Sequence, residues 1–307
     1  MIDVNALTKK YGMFTAVREA SFQAKKGEVV GLLGPNGAGK TTIMRMLTGH
    51  TPPTSGTAKI AGFDVTVDPL DVRERIGYLP ERVPLYPDMT VREYVSYWAQ
   101  LRGMHNRRER MARVDDIIDT VQLGFKRNKL VRSLSKGMRQ RLGLAQALVH
   151  NPDVVILDEP TIGIDPQQVL EVRQTVRELG KDHCVLFSTH ILTEAEQVCD
   201  RLVIINQGRI VAQGTPEQLR QRIQEGAAVY VEFALGTPGE VLDLLTETPG
   251  VLGWQAVGPG YQLQVDSARV RTALYERIRG TNYTLLEMRP AALTLEDIFL
   301  NIIGETT

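Results

Sequence analysis

Gly34-Pro35-Asn36-Gly37-Ala38-Gly39-Lys40-Thr41 is the stretch from which the fold can be read. It has the spacing G-x-x-x-x-G-K-T. Before it stands a short apolar run, Glu28-Val29-Val30-Gly31-Leu32-Leu33, and after it Thr42-Ile43-Met44-Arg45-Met46-Leu47, a helix-forming segment. Glycines at these positions let the backbone curl until successive N–H groups point inward at one anion. The helix that follows aims its own N-terminal N–H groups and positive dipole end at the same place. Such a loop, from Gly34, Pro35, Asn36, Gly37, Ala38 and Gly39 to Lys40, Thr41 and Thr42, cradles the phosphates of a nucleotide such as ATP. Lys40 reaches the β- and γ-phosphates, and the Thr41 hydroxyl is a ligand for Mg²⁺. A purely structural glycine turn is the alternative, and a strand before with a helix after favours the cradle.

A second apolar run, Val154-Val155-Ile156-Leu157, delivers two acids, Asp158 and Glu159. In open α/β sheets ligands bind at the carboxyl ends of strands, where this pair would sit. Asp158 suits a Mg²⁺ ligand, and Glu159 is placed to deprotonate an attacking water. Cys184-Val185-Leu186-Phe187-Ser188 and Leu202-Val203-Ile204-Ile205 have the same character. Short apolar runs separated by helical stretches predict an α/β fold with a mostly parallel core sheet buried on both faces. Residues 90–150 break that rhythm with long helical patterns and read as a helical insertion. The arginine-rich stretch Arg102 to Arg113 within it reads as a solvated helix face or as a partner-binding patch.

Composition narrows the class. The 307 residues carry 36 Lys+Arg and 36 Asp+Glu, so a strongly basic nucleic-acid binder is not expected. Two cysteines, Cys184 and Cys199, make neither a disulfide framework nor a zinc cluster. No run approaches the ~18 apolar residues of a membrane span, and the first residues lack a signal peptide's apolar stretch, so a soluble cytoplasmic chain is expected.

The charge is uneven. From Ile223 to Thr307 there are 11 acidic and 5 basic residues, a balance of −6, which leaves +6 on the first 222. The step coincides with a change of pattern near Gln224 to Ala228, so the expected domains are 1–222 and 228–307. In the second, Val229 to Phe233 alternates as a strand and Gly239 to Glu247 has helical spacing. Val251 to Val257 and Tyr261 to Val265 form a hairpin across Gly258-Pro259-Gly260. A helix capped by Ser267 carries Val270, Leu274 and Ile278 and ends at Gly280; a strand follows over Tyr283 to Glu287. The order β-α-β-β-α-β predicts a small ferredoxin-like α+β domain. A last helix is expected from Thr294, with capping-box spacing to Asp297.

These motifs, in this order from Tyr11 to His190, resemble the ATP-binding subunits of ATP-binding cassette (ABC) transporters. The resemblance covers roughly residues 1–220 and implies further roles. Tyr11 stands where the family stacks an aromatic ring on adenine. Leu134-Ser135-Lys136-Gly137-Met138 is similar to the signature LSGGQ, which binds the γ-phosphate of ATP held by the other subunit; Ser135, Lys136 and Gly137 fall at that contact. Gly163-Ile164-Asp165-Pro166 resembles the D-loop, which places Asp165 at the dimer interface. His190 matches the switch histidine that contacts the γ-phosphate. Two departures stand out. Glu81, in Gly77-Tyr78-Leu79-Pro80-Glu81, replaces the usual Q-loop glutamine; a carboxylate still suits Mg²⁺ but repels a γ-phosphate oxygen to which an amide could donate. Lys136 and Met138 replace the signature's first glycine and its glutamine.

The resemblance implies a homodimer that clamps ATP at its seam, drives a separate membrane subunit and sits on the cytoplasmic face of the membrane. Gly77 to Glu81 followed by Leu85 to Tyr94, then Leu134 to Arg141 and Leu293-Thr294-Leu295-Glu296-Asp297-Ile298-Phe299, are similar to bacterial exporter ATPases of the drug, polysaccharide and gliding-motility type. The alternative is an ABC ATPase acting on a ribosome or nucleic acid; such proteins carry two cassettes or a long coiled-coil insertion, and this sequence has neither.

Overall fold

A computed structural model of the chain describes residues 1–219, 228–234, 240–267 and 269–291. The chain divides into two units, Met1–Thr215 and Pro216–Thr307. Residues 224–227, where the sequence changes pattern, lie outside the described residues.

The first unit begins with an antiparallel pair, β1 (Ile2–Tyr11) and β2 (Phe14–Ala24), then β3 (Val29–Leu33) and α1 (Lys40–Leu47). Next come β4 (Ser55–Ile60), β5 (Phe63–Asp64), α2 (Pro69–Arg75) and β6 (Ile76–Leu79). Three helices follow, α3 (Val91–Leu101), α4 (Arg107–Thr120) and α5 (Lys136–Leu148). The unit finishes with β7 (Val154–Asp158), α6 (Pro166–Asp182), β8 (Cys184–Thr189), α7 (Leu192–Val198), β9 (Arg201–Asn206) and β10 (Arg209–Gly214).

The core sheet runs β10-β9-β3-β8-β7-β6, parallel from β9 to β6, with β10 antiparallel at one edge. Every residue of β3, β7 and β8 is buried, including the polar residues Asp158, Ser188 and Thr189 that close the last two strands. A second, antiparallel sheet, β2-β1-β4-β5, was not foreseen from the sequence. Its inward residues Ile2, Val4, Leu7, Val17 and Phe22 share one core with Ile43, Met44 and Leu47 of α1 and with Val30, Leu32 and Ile156 of the parallel sheet. Each such side chain contributes about 1.5–3 kcal/mol on burial, so α1 is clamped between two sheets.

The expected insertion is helical. Thr90 closes a capping box with Glu93 at the start of α3, and Asn106 caps α4. Three of the insertion's arginines are spent inside the chain: Arg102 donates to the Arg73 carbonyl, Arg110 to those of Met104 and His105, and Arg113 to those of Leu148 and Val149. Arg107 and Arg108 are exposed.

In the second unit β11 (Ala228–Phe233), α8 (Glu240–Thr246), β12 (Val251–Val257), β13 (Gly260–Val265), α9 (Val270–Arg279) and β14 (Leu285–Ala291) make an antiparallel sheet of order β12-β13-β11-β14. Its core joins Val229, Val231 and Leu263 to Val241, Leu245, Leu274 and Ile278 of the two helices. Two local readings need correction. No side chain caps α9; Ser267 instead accepts the Val270 N–H with its carbonyl. The last strand begins at Leu285, because Tyr283 turns its ring onto Phe233, 6.4 Å between centroids. The helix expected from Thr294 lies outside the described residues. Among the described residues no helix is long and apolar enough to cross a membrane.

Candidate active site

Parallel strands deliver their carboxyl ends to one edge of the sheet. There β3 runs into Gly34, β7 into Glu159, β8 into His190 and β6 toward Glu81. The register sets Leu33 beside Thr189, Asp158 beside Ser188 and Leu79 beside Leu157. Four segments distant in sequence are thereby aligned.

The glycine loop needs its glycines. Gly39 has φ +110°, in the left-handed region, and a Cβ on Gly34 would lie 2.2 Å from the Ile205 carbonyl oxygen. No side chain caps α1 at Gly39. Lys40, the first residue of α1, is buried and folds back over the loop. Its ammonium donates to the carbonyls of Gly34 (2.6 Å) and Pro35 (3.2 Å) and lies 3.2 Å from Glu159 Oε1. The other Glu159 oxygen, Oε2, is 2.9 Å from His190 Nδ1. Glu159 itself has φ +49°, a conformation that costs a non-glycine residue ~1–2 kcal/mol. The Ser188 hydroxyl, accepting the Glu159 N–H at 2.9 Å, holds it there.

Asp158 is 1 % exposed. One oxygen, Oδ1, accepts from Ser188 Oγ (2.8 Å) and, at 3.4 Å, from Thr41 Oγ1; the other, Oδ2, is buried without a partner. Burial pushes this carboxyl up from the usual range, and the carboxylates of Glu159 and Glu81 push the same way. A buried acid with an orphaned oxygen beside a hydroxyl fits a divalent cation that completes its shell with water and phosphate oxygens. Among the described residues no cluster of three or more His, Cys, Asp or Glu forms an all-protein cage.

Other expected residues stand apart. Tyr11 ends β1, half-exposed, with the Lys9 ammonium 5.2 Å from its ring centroid. Asn36 and Gly37 form the exposed tip of the loop, Ala38 is buried, and Thr42 lies on α1 behind Thr41. Glu81 is exposed past the end of β6. Ser135 caps α5, accepting the Met138 N–H. Gly137 lies under the Gln168 side chain, and the Lys136 ammonium crowds Gly163. Asp165 caps α6, accepting the Gln168 N–H. The signature-like corner and the Gly163–Pro166 turn therefore pack on each other. Among the described residues no bond joins Ser135 or Gly137 to Lys40 or Glu159. A cavity of about 630 Å³ between α4 and α6 contains none of these residues.

Two supporting side chains escaped the sequence reading, Ser188 and Glu194. For Ser188 the signal was present, since hydroxyls closing an apolar strand, Ser188-Thr189, must find partners when buried.

Known proteins share this fold and sequence pattern. The sequence profile of the ABC transporter family matches residues 17–162. The uncharacterized ABC transporter ATP-binding protein YxlF of Bacillus subtilis (strain 168) is 38 % identical over 307 residues, covering 99 % of both chains. The Nod factor export ATP-binding protein I of Burkholderia orbicola (strain AU 1054) is 35 % identical, over 99 % of this chain and 97 % of its own. Among solved structures, the dimeric post-hydrolysis state of the ATP-binding cassette MJ0796 bound to ADP and Pi superposes with a TM-score of 0.64 at 25 % identity, over 70 % of this chain and 98 % of that one. With a full-length relative well above 30 % identity and the cassette's strand-end residues gathered at one edge, this chain belongs to the ATP-binding proteins of ABC transporters.

Proposed function

We propose that the chain is the ATP-hydrolysing subunit of an exporter, acting as a homodimer on a separate membrane subunit. The convergence of Lys40, Asp158, Glu159 and His190 at the strand ends carries the hydrolytic reading. The seam reading is supported by Ser135 and Gly137 lying apart from the chain's own cradle. Export is supported by the name of the Burkholderia relative.

Lys40 has two sets of partners to choose between. Here its ammonium rests on two carbonyls and on Glu159. A triphosphate is the stronger competitor, since it offers the ammonium several negatively charged oxygens against one carboxylate and two neutral carbonyls. Drawing Lys40 onto the β- and γ-phosphates leaves Glu159 held by His190 and free to take a proton from water as the water oxygen attacks the γ-phosphorus, whose bond to the bridging oxygen breaks with ADP as the leaving group. Thr41, Asp158 and Glu81 would hold Mg²⁺, which would supply charge neutralisation on the phosphate oxygens. His190 keeps Glu159 in place and faces the γ-phosphate. Ser135, Lys136 and Gly137 of a second copy, with Asp165 at the seam, close the site from the other side, and Tyr11 stacks on the adenine. Loss of the γ-phosphate removes what both copies hold in common, and the dimer opens.

The test is phosphate release by the purified chain with ATP and Mg²⁺. Release by the parent and its absence in Lys40→Ala is expected; equal release from both would overturn the assignment. Tagged chain drawn from membranes should bring an integral membrane protein with it, and a chain that remains wholly free of membrane protein in its native host would remove the transport half.

A further inference from the structure

We propose that Glu194 is a positioning residue that holds Glu159 and His190 against each other, an inference resting on the roles given to those two residues above. Glu194 lies on α7 and is 3 % exposed. One oxygen, Oε2, accepts two hydroxyls, from Thr161 at 2.7 Å and from Thr189 at 3.1 Å. The other, Oε1, meets Arg173 Nη2 at 3.2 Å. Thr161 comes two residues after Glu159, and Thr189 comes one before His190. A single carboxylate oxygen therefore ties together the two segments whose side chains must meet.

The bonds bracket each residue on both sides. Thr189 Oγ1 donates to Glu194 and accepts the Ile191 N–H at 3.0 Å, so one hydroxyl fixes the backbone around His190. The Glu159 N–H is held by Ser188, while Thr161 anchors the turn beyond it to Glu194. Arg173 neutralises the buried charge and binds Gln197 Oε1 at 2.6 Å, linking α6, which Asp165 caps, to the same knot. An acceptor for two buried hydroxyls cannot be removed without leaving both unpaired. The strained φ of Glu159 has no glycine to relieve it, so its geometry depends on such external ties.

A role confined to stability would lower the melting temperature and leave turnover per folded molecule intact. Positioning predicts the opposite split. In Glu194→Ala, kcat should fall about 10- to 100-fold while nucleotide affinity stays within about threefold, because a small misplacement affects the chemical step more than binding. Thr161→Val, which exchanges a hydroxyl for a methyl, should move kcat the same way by a smaller factor, and it decides the matter if Glu194→Ala fails to fold. Glu194→Gln keeps an acceptor oxygen and should recover part of the rate. Added to Glu159→Gln, Glu194→Ala should lower the residual rate no further, since it acts through Glu159. If Glu159→Gln is inactive and both Glu194→Ala and Thr161→Val turn over like the parent, positioning by Glu194 is wrong while the base assignment stands. If Glu159→Gln itself turns over like the parent, the base assignment falls, and Glu194 with it.

Discussion

The Lys40 ammonium lies 3.2 Å from the Glu159 carboxylate, so the residue proposed to grip phosphate and the residue proposed to activate water neutralise each other. Both are buried, and His190 completes the line at 2.9 Å from the far oxygen. The proposed base is thus occupied until something draws Lys40 away. Glu159→Gln keeps the shape and removes the proton acceptor. ATP binding should persist, turnover should fall about 100-fold or more, and an ATP-bound dimer should accumulate. Phosphate release and sedimentation with and without ATP read both outcomes; hydrolysis at the parental rate would dismiss Glu159 as base.

Ser135 is exposed at the start of α5, and no bond ties it to the chain's own cradle. Arginine there places a bulky cation where the proposed second copy would approach. Ser135→Arg should therefore bind ATP as the parent does in a filter or fluorescence assay, yet fail to dimerise and hydrolyse. Normal ATP-dependent dimers in the ultracentrifuge would count against the shared seam.

Gly137 shows why that corner tolerates so little. A Cβ there would fall on Gln168 Oε1 and approach the Gln168 Cβ to 3.2 Å. Gly137→Ala should lower stability by ~1 kcal/mol through the displaced Gln168. Gln168→Ala added to it should restore the melting temperature or raise it, because alanine is the better helix former by ~1 kcal/mol. Turnover should remain depressed in the double variant, since the Gln168 side chain no longer packs over the corner proposed to meet partner-held phosphate. Recovery of stability and rate together would confine Gly137 to packing.

Much of this was legible along the chain. Val29 to Leu33, Val154 to Leu157 and Cys184 to Phe187 are runs without a polar side chain, and burial on both faces leaves them few alternatives to a parallel sheet. Gly34 to Thr41 could be read because φ values and close approaches demand those glycines. The sheet of β1, β2, β4 and β5 was less legible, because its strands mix polar and apolar residues and its register shifts repeatedly between β1 and β2. Tertiary contacts decide the rest. Ser267 has a capping residue's chemistry but sits three residues before α9, where only its carbonyl reaches. Glu194 looks like an ordinary acid on a short helix until folding brings Thr161 and Thr189 to it.

His150, between α5 and β7, gives the first unit a built-in sensitivity to acid. Its Nε2–H donates to the Ile76 carbonyl at 3.1 Å, and Nδ1 is buried without a partner. Burial, reinforced by the guanidinium of Arg102, pulls the imidazole down to about 4. In the unfolded chain it titrates near its ordinary value of about 6.5. Between those values the unfolded chain holds a proton that the folded chain does not, so stability falls as the pH is lowered. The contribution is complete above about pH 6.5, and ~2 kcal/mol of it is lost by pH 5. Urea unfolding of the parent and of His150→Gln at pH 7.5 and pH 5 isolates this share. The parent should lose ~2 kcal/mol more than the variant between the two conditions, since glutamine has no proton to gain. Parallel losses in the two proteins would assign the acid sensitivity to carboxylates such as Asp158 and leave His150 without a part in it.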